Sequence, residues 1–220
     1  MIAGQWEIFG AALARQDAVS AAIIDVIETA ISLRGQAVMA FPGGATPAPV
    51  FSRLGGADLD WRRVNILPTD DRDVAVEEAL SNLGPITRCF APLGARVWSL
   101  RDPGPLAMLP WPSDLVWLGV GSDGHTASIF PGPDLDHAMV STALTVAVTP
   151  DPLPPEAPVS RISLTAAAIR QAGRLMIVIS GAAKRTVMQE ALADGARSRF
   201  IIGRVLAGST ASTQIFWSPD

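Results

Sequence analysis

The stretch Asp114–Pro131, DLVWLGVGSDGHTASIFP, carries the reading of the whole chain. From Leu115 to Val120 every residue but Gly119 is apolar, the pattern of a strand buried on both faces of a sheet rather than wetted on one. The run empties into a glycine-rich turn that presents Asp123 and His125 side by side on alternate positions. Ligands of such sheets bind beyond the carboxyl ends of the strands, where this turn falls. His125 is one of 2 histidines, so a general base working near neutral pH has few other places to sit.

Outward from this stretch, strand and helix patterns alternate. Ala11 to Leu33 has helical periodicity, Gln36 to Phe41 reads as a strand, and Thr46 to Leu54 as a helix with Pro47 in its first turn, where a missing N–H costs little. Arg63 to Leu67 reads as a second strand, followed by a charged turn and a helical stretch ending near Asn82. Further strands are expected at Arg96 to Leu100, Leu144 to Thr149, Leu175 to Ile179 and, as an edge, Ile215 to Trp217. Thr165 caps a helix running to Ala172, and another spans Ala182 to Ala193. Two proline-rich segments break the pattern, Asp102 to Ser113, which cannot hold a regular helix, and Pro150 to Pro158. Both read as surface loops, and for the second a movable lid is the alternative. The fold class expected is α/β, a doubly wound, mostly parallel sheet with helices on both faces.

Composition sets the outer limits. A chain of 220 residues that is 49% hydrophobic buries one substantial core, so a single domain over 1–220 is expected. The net charge of -4 argues against nucleic acid or an anionic membrane surface as partner, because both require a positive field. An anionic ligand must then be caught by a few local basic groups. Cys89 is the only cysteine and cannot form an internal disulfide, MIAGQWEIFG lacks a basic segment leading into an apolar one, and no apolar run is long enough to span a bilayer. A cytoplasmic protein, monomer or small homo-oligomer, is the expectation.

Four further motifs carry chemistry. In Phe41-Pro42-Gly43-Gly44-Ala45-Thr46-Pro47, glycines let the backbone approach a ligand closely, and free N–H groups at a helix start favour an anion such as phosphate. Asp70-Asp71-Arg72-Asp73 follows a strand end, where carboxylates orient a base or a sugar hydroxyl and Arg72 is available to an anionic intermediate. Arg161 in RISLT and Lys184 in SGAAK complete a phosphate cradle, the arginine as a fork and the lysine as a point charge. Lys184 in a first helical turn opposes the helix dipole, so something other than helix stability put it there. Gly119-Val120-Gly121-Ser122-Asp123-Gly124 matches G-x-G-x-x-G literally, but Pro131 and Pro133 interrupt the crossover helix that a dinucleotide site needs.

Together PGGATP, DDRDV with Ser81-Asn82 eight residues past Asp73, LGVGSDGHTASIFPG, RISLT and SGAAK, in that order, resemble the 6-phosphogluconolactonases over about Val38 to Leu192. The resemblance implies hydrolysis of 6-phospho-D-glucono-1,5-lactone, with His125 as general base, Asp123 beside it, and Asp70 and Arg72 facing the lactone. It implies Gly43, Gly44, Thr46, Asn82, Arg161 and Lys184 as the substrate and phosphate contacts. The chain departs from the family pattern at Pro42, where a serine is usual, and at Asp71, where a longer carboxylate is usual. The partner implied is a small sugar-phosphate lactone, with no cofactor and no metal.

The residues fit that chemistry on their own. Lactone hydrolysis needs a positioned water, a base and stabilisation of an oxyanion. No G-x-S-x-G nucleophile elbow and no zinc-ligand spacing is present. Either Asp123 or Asp70 would orient the imidazole. Two alternatives stay open: a sugar-phosphate deaminase or isomerase on the same fold, whose relatives carry a carboxylate after the DGH where this chain has Thr126 to Pro131, and a non-catalytic sugar-phosphate sensor. His137 reads as ordinary surface in a loop.

Overall fold

A computed structural model describes residues 2–155 and 157–220. In chain order the elements are β1 (Gln5–Ile8), α1 (Ala12–Arg34), β2 (Ala37–Phe41), α2 (Ala48–Gly55), β3 (Val64–Pro68), β4 (Asp70–Arg72), α3 (Leu83–Phe90), β5 (Arg96–Val97) and α4 (Pro103–Leu106). They continue with β6 (Leu115–Leu118), α5 (Leu135–Val140), β7 (Thr145–Val148), β8 (Arg161–Leu164), α6 (Ala166–Arg170), β9 (Arg174–Ser180), α7 (Ala182–Asp194), α8 (Ile201–Leu206) and β10 (Ser212–Ser218).

Seven strands form one sheet in the order β1-β10-β9-β6-β2-β3-β5, every neighbouring pair parallel. Successive strand residues point to opposite faces, and both faces are covered. Along β9, Leu175, Ile177 and Ile179 enter one core with α6, α7 and α8, while Met176 and Val178 enter a second core with α1, α2 and α3. The molecule is therefore an α/β fold with helices on both faces, as the apolar runs predict. The chain runs outward from β2 to β3 and β5 on one side and from β6 to β9 and β10 on the other. The strand order reverses between β2 and β6, and the turns after those strands open side by side, which is where a crevice forms in such a sheet. Asp114 secures this junction: its N–H donates to Val38 O (2.8 Å) and its carboxylate accepts the Val38 N–H (2.8 Å).

Several expectations need correction. Ile215 to Trp217 is not an edge, because β10 lies between β1 and β9; the edge on that side is β1, whose four residues QWEI alternate polar and apolar over too short a run to mark a strand. Residues 74–80 form turns rather than a helix, and α3 begins only after Asn82, with Pro85 in its first turn. The charged segment Asp70–Arg72 is a strand, not a turn, because β8 supplies its ladder. With β7 and β8 it makes a second, antiparallel sheet in the order β4-β8-β7, to which Leu144–Thr149 and RISLT contribute. Within Asp102 to Ser113 one helical turn, Pro103–Leu106, does form, with Pro103 at its start. His137 sits exposed on α5 rather than in a loop. Thr165 caps α6 as expected, accepting the Ala168 N–H at 3.1 Å, though that helix ends at Arg170. The segment Pro150 to Pro158 is irregular, and Glu156 within it lies outside the described residues. No described helix is long and apolar enough to cross a membrane.

The second core is rich in rings. Phe51 packs against Phe41 (5.5 Å between centroids), Phe90 (5.2 Å) and Trp117 (6.1 Å) beneath the junction of β2 and β6. Truncating it leaves a cavity among rigid neighbours. Phe51→Ala is expected to lower unfolding free energy by about 3–5 kcal/mol, read as a fall in the urea midpoint with an unchanged slope; a midpoint equal to that of the parent protein would contradict this packing.

Candidate active site

Three turns of the parallel sheet and two strands of the antiparallel one converge at one cleft. The first follows β2. Gly44 has φ 92, a conformation that glycine adopts at no steric cost. A Cβ on Gly43 would fall 1.8 Å from the Asn82 side-chain oxygen, so the chain is bare there because Asn82 lies on it. Among the described residues, none of the amides of Gly43, Gly44, Ala45 or Thr46 donates a hydrogen bond within the protein. These amides, rather than the start of α2, are the turn's open donors, since Pro47 and Pro49 leave gaps in the donors of the first helical turn.

The second turn follows β6. His125 Nδ1 lies 2.6 Å from Asp123 Oδ1, which also accepts the His125 backbone N–H at 3.2 Å. An ionised carboxylate only accepts, so the contact keeps a proton on Nδ1 and leaves Nε2 as the accepting nitrogen of the neutral ring. Gly121 makes room for this pair: a Cβ there would stand 2.3 Å from the imidazole. Of the two carboxylates that could orient the ring, Asp123 touches it, whereas Asp70 accepts from the Ser128 hydroxyl at 2.5 Å and the Thr69 hydroxyl at 3.3 Å. Downstream, Thr126 Oγ1 donates to Gly119 O (2.8 Å), and the Ser128 N–H donates to Ser163 Oγ (3.2 Å). Ala127, with φ 48, is the one non-glycine of positive φ among the described residues, and it lies in the cleft wall.

The antiparallel sheet brings in the arginines. Arg72 on β4 and Arg161 on β8 are register partners, and both line the cleft. Like charges directly opposite on neighbouring strands repel, so both need local partners. Arg72 Nη1 donates to Leu80 O (3.1 Å) and to the Asn82 side-chain oxygen. Asn82 in turn donates from its side chain to Asp70 O (2.8 Å), so its amide is engaged within the protein on both sides. Arg161, 6% exposed, donates to Ala157 O (3.3 Å) and stacks on Phe130 at 5.2 Å. Phe130 also packs on the His125 ring, 4.3 Å between centroids, and so separates base from cation.

The last turn follows β9. Gly181 has φ 81, its N–H donates to Ser218 O (3.0 Å), and its carbonyl accepts the Trp217 indole N–H (2.9 Å). That anchoring places Lys184, in the first turn of α7, on the same opening.

Gly43, Gly44, Thr46, Asp70, Arg72, Asn82, His125, Arg161 and Lys184 thus line one cleft of about 270 Å³. Asp123 is not in its wall but stands behind the imidazole, its side chain 53% exposed. Sequence reasoning missed Phe130, Ser128, Gly121 and Arg101, and read Asp71 as a short second carboxylate within the charged segment Asp70–Asp73. Phe130 and Ser128 lie in the same run as His125, Asp123–Pro131, and that proximity was the available signal. Among the described residues no group of three His, Cys, Asp or Glu side chains is arranged to hold a metal ion.

The sequence profile described as glucosamine-6-phosphate isomerases/6-phosphogluconolactonase matches residues 11–217. A 6-phosphogluconolactonase of Mesorhizobium japonicum is 34% identical over 222 residues, spanning 92% of this chain and 90% of its own length. One of Caulobacter vibrioides is 32% identical over 229 residues, 96% of each chain. The crystal structure of a 6-phosphogluconolactonase from Shewanella baltica OS155 superposes with a TM-score of 0.89 at 29% identity, covering 98% of both chains.

Burial pushes the Asp123 carboxyl upward, but the charge of His125, its ring hydrogen bond and its backbone N–H outweigh that and hold the group below its ordinary range. A carboxyl lowered in the folded state stabilises the fold above the ordinary carboxylate range and loses that contribution as pH falls through the lowered value. His125→Ala removes the ring's share, so the Asp123 titration followed by carbon-13 NMR is expected to move to higher pH. An unmoved midpoint would contradict the contact.

Proposed function

Since the chain belongs to the glucosamine-6-phosphate isomerase/6-phosphogluconolactonase family, we propose that it hydrolyses 6-phospho-D-glucono-1,5-lactone to 6-phospho-D-gluconate, a step of the oxidative pentose phosphate pathway. The support is a single cleft that combines an imidazole hydrogen-bonded to a carboxylate with Arg161, Lys184 and four open amides. The relatives above that are named 6-phosphogluconolactonase match 92% and 96% of the chain.

In this reading Asp123 holds the Nδ1 proton of neutral His125, and Nε2 takes a proton from water as its oxygen attacks the lactone carbonyl carbon. The carbonyl becomes a tetrahedral oxyanion, whose charge Arg72 offsets. Collapse breaks the bond to the ring oxygen, which leaves as a hydroxyl after taking the proton back from His125, and the product is the open-chain carboxylic acid. Arg161, Lys184 and the amides of Gly43, Gly44 and Thr46 hold the phosphate, fork and point charge together. The like-charged pair Arg72 and Arg161 suits an anionic substrate, which relieves their repulsion on binding. Asn82 serves from the side, by fixing Arg72 and the backbone of Asp70. A lone cysteine, with no partner for an internal disulfide, goes with a reducing cytoplasmic setting.

Against the deaminase alternative, Thr126 to Pro131 bring no carboxylate, and the hydroxyls of Thr126 and Ser128 are tied to Gly119 and Asp70. The direct test is lactone opening followed against its spontaneous background, with glucosamine 6-phosphate as the control substrate. Hydrolysis well above background with no ammonia release is expected, and the reverse would overturn the reading. His125→Asn is expected to reduce kcat by about 10²- to 10⁴-fold with KM nearly unchanged; near-normal turnover would remove the imidazole from the mechanism. Lys184→Ala should act mainly on KM for the phosphorylated lactone, and an unchanged KM would count against the cradle.

A further inference from the structure

Asp71 and Arg101 lie outside the cleft wall, and the steps above use neither. Asp71 is 2% exposed, yet its carboxylate gathers four donors. Oδ1 accepts the backbone N–H groups of Arg72 (2.9 Å) and Asn82 (2.6 Å), and Oδ2 accepts the Ser81 hydroxyl (3.2 Å) and Arg101 Nη2 (3.3 Å). Arg101 also donates to the carbonyl of Arg72 and lies 3.6 Å from Asp73 Oδ1. The backbone of Arg72 is therefore gripped twice, at its N–H by Asp71 and at its C=O by Arg101. The same carboxylate fixes Asn82, whose side chain accepts from the Arg72 guanidinium.

A buried ion pair is weak support for stability, since an apolar pair of similar volume often serves as well. Burial indeed pushes the Asp71 carboxyl upward, against the bonds from Asn82, Arg101, Arg72 and Ser81. Arg72 is the register partner of Arg161 on the neighbouring strand, and both line the cleft. We propose that Asp71 and Arg101 form a positioning pair that holds the Arg72 guanidinium, through its backbone and through Asn82, against the site of developing negative charge. This rests on the lactonase reading and deepens it. The pair does not touch substrate. It keeps Arg72 preorganised, so its effect appears in the transition state rather than in binding.

The test is steady-state lactone hydrolysis by Asp71→Asn and, separately, Arg101→Gln, with the melting temperature of each variant measured alongside. Each variant is expected to lose about tenfold in kcat, as for residues coupled in one hydrogen-bond network, with KM changed by less than about twofold. In an Arg72→Ala background neither substitution should lower kcat further. Equal losses with and without Arg72, or a loss carried by KM alone, would overturn the pairing. Arg101 is 28% exposed, so Arg101→Gln keeps the test decisive if Asp71→Asn fails to fold. A parent protein no faster than spontaneous hydrolysis would overturn the lactonase reading instead, whereas an active parent with fully active variants would overturn only the positioning pair.

Discussion

The join between β2 and β6 governs everything above it. Only two register pairs, Met39 with Leu115 and Ala40 with Val116, make the parallel ladder there, and Asp114 extends it by bonding Val38 through both its backbone and its carboxylate. Because the strand order reverses at this join, the turn after Phe41 and the turn after Leu118 emerge beside each other with no strand between them. One turn brings open amides and the other brings the imidazole. Neither turn would form a site if the two halves of the sheet paired elsewhere.

Charge shapes the rest of the cleft. A chain of net charge -4 concentrates Arg72, Arg161 and Lys184 on one opening, and two of these face each other across adjacent strands. Neutral neighbours behind the cluster help to hold it: Leu80 O and Asn82 for Arg72, Ala157 O and the Phe130 face for Arg161. The antiparallel sheet exists largely to present them. Ser128 ties the histidine loop to that sheet through Asp70 on β4 and Ser163 on β8, which fixes the loop against the strands that carry Arg72 and Arg161.

Much of this was legible in the sequence where burial writes a strong pattern. The doubly buried strands announce themselves as apolar runs, and Gly-Gly, DGH, RISLT and SGAAK mark the turns. Strands β1 and β4 were not legible, because QWEI and DDR owe their conformation to partners far along the chain, β10 and β8. For the same reason Asp70–Arg72 was read as a turn, and the helix placed before Asn82 in fact begins after it, where Asp71 takes the Asn82 N–H. Arg101 carries no local signature; what it does depends on which carboxylate and carbonyl the fold sets against it. Asn82 lines the cleft, and both ends of its amide are also engaged within the protein, which the sequence does not reveal.

The central claim is that one molecule spans the imidazole and the cations in a single cleft, and a crystal structure with 6-phosphogluconate bound tests it most directly. The account predicts the phosphate within hydrogen-bond distance of Arg161, Lys184 and the Gly43–Gly44 amides, with the carboxylate carbon facing His125 Nε2 and Arg72. A phosphate seated away from Arg161 and Lys184, or a carboxylate out of reach of the imidazole, would contradict it.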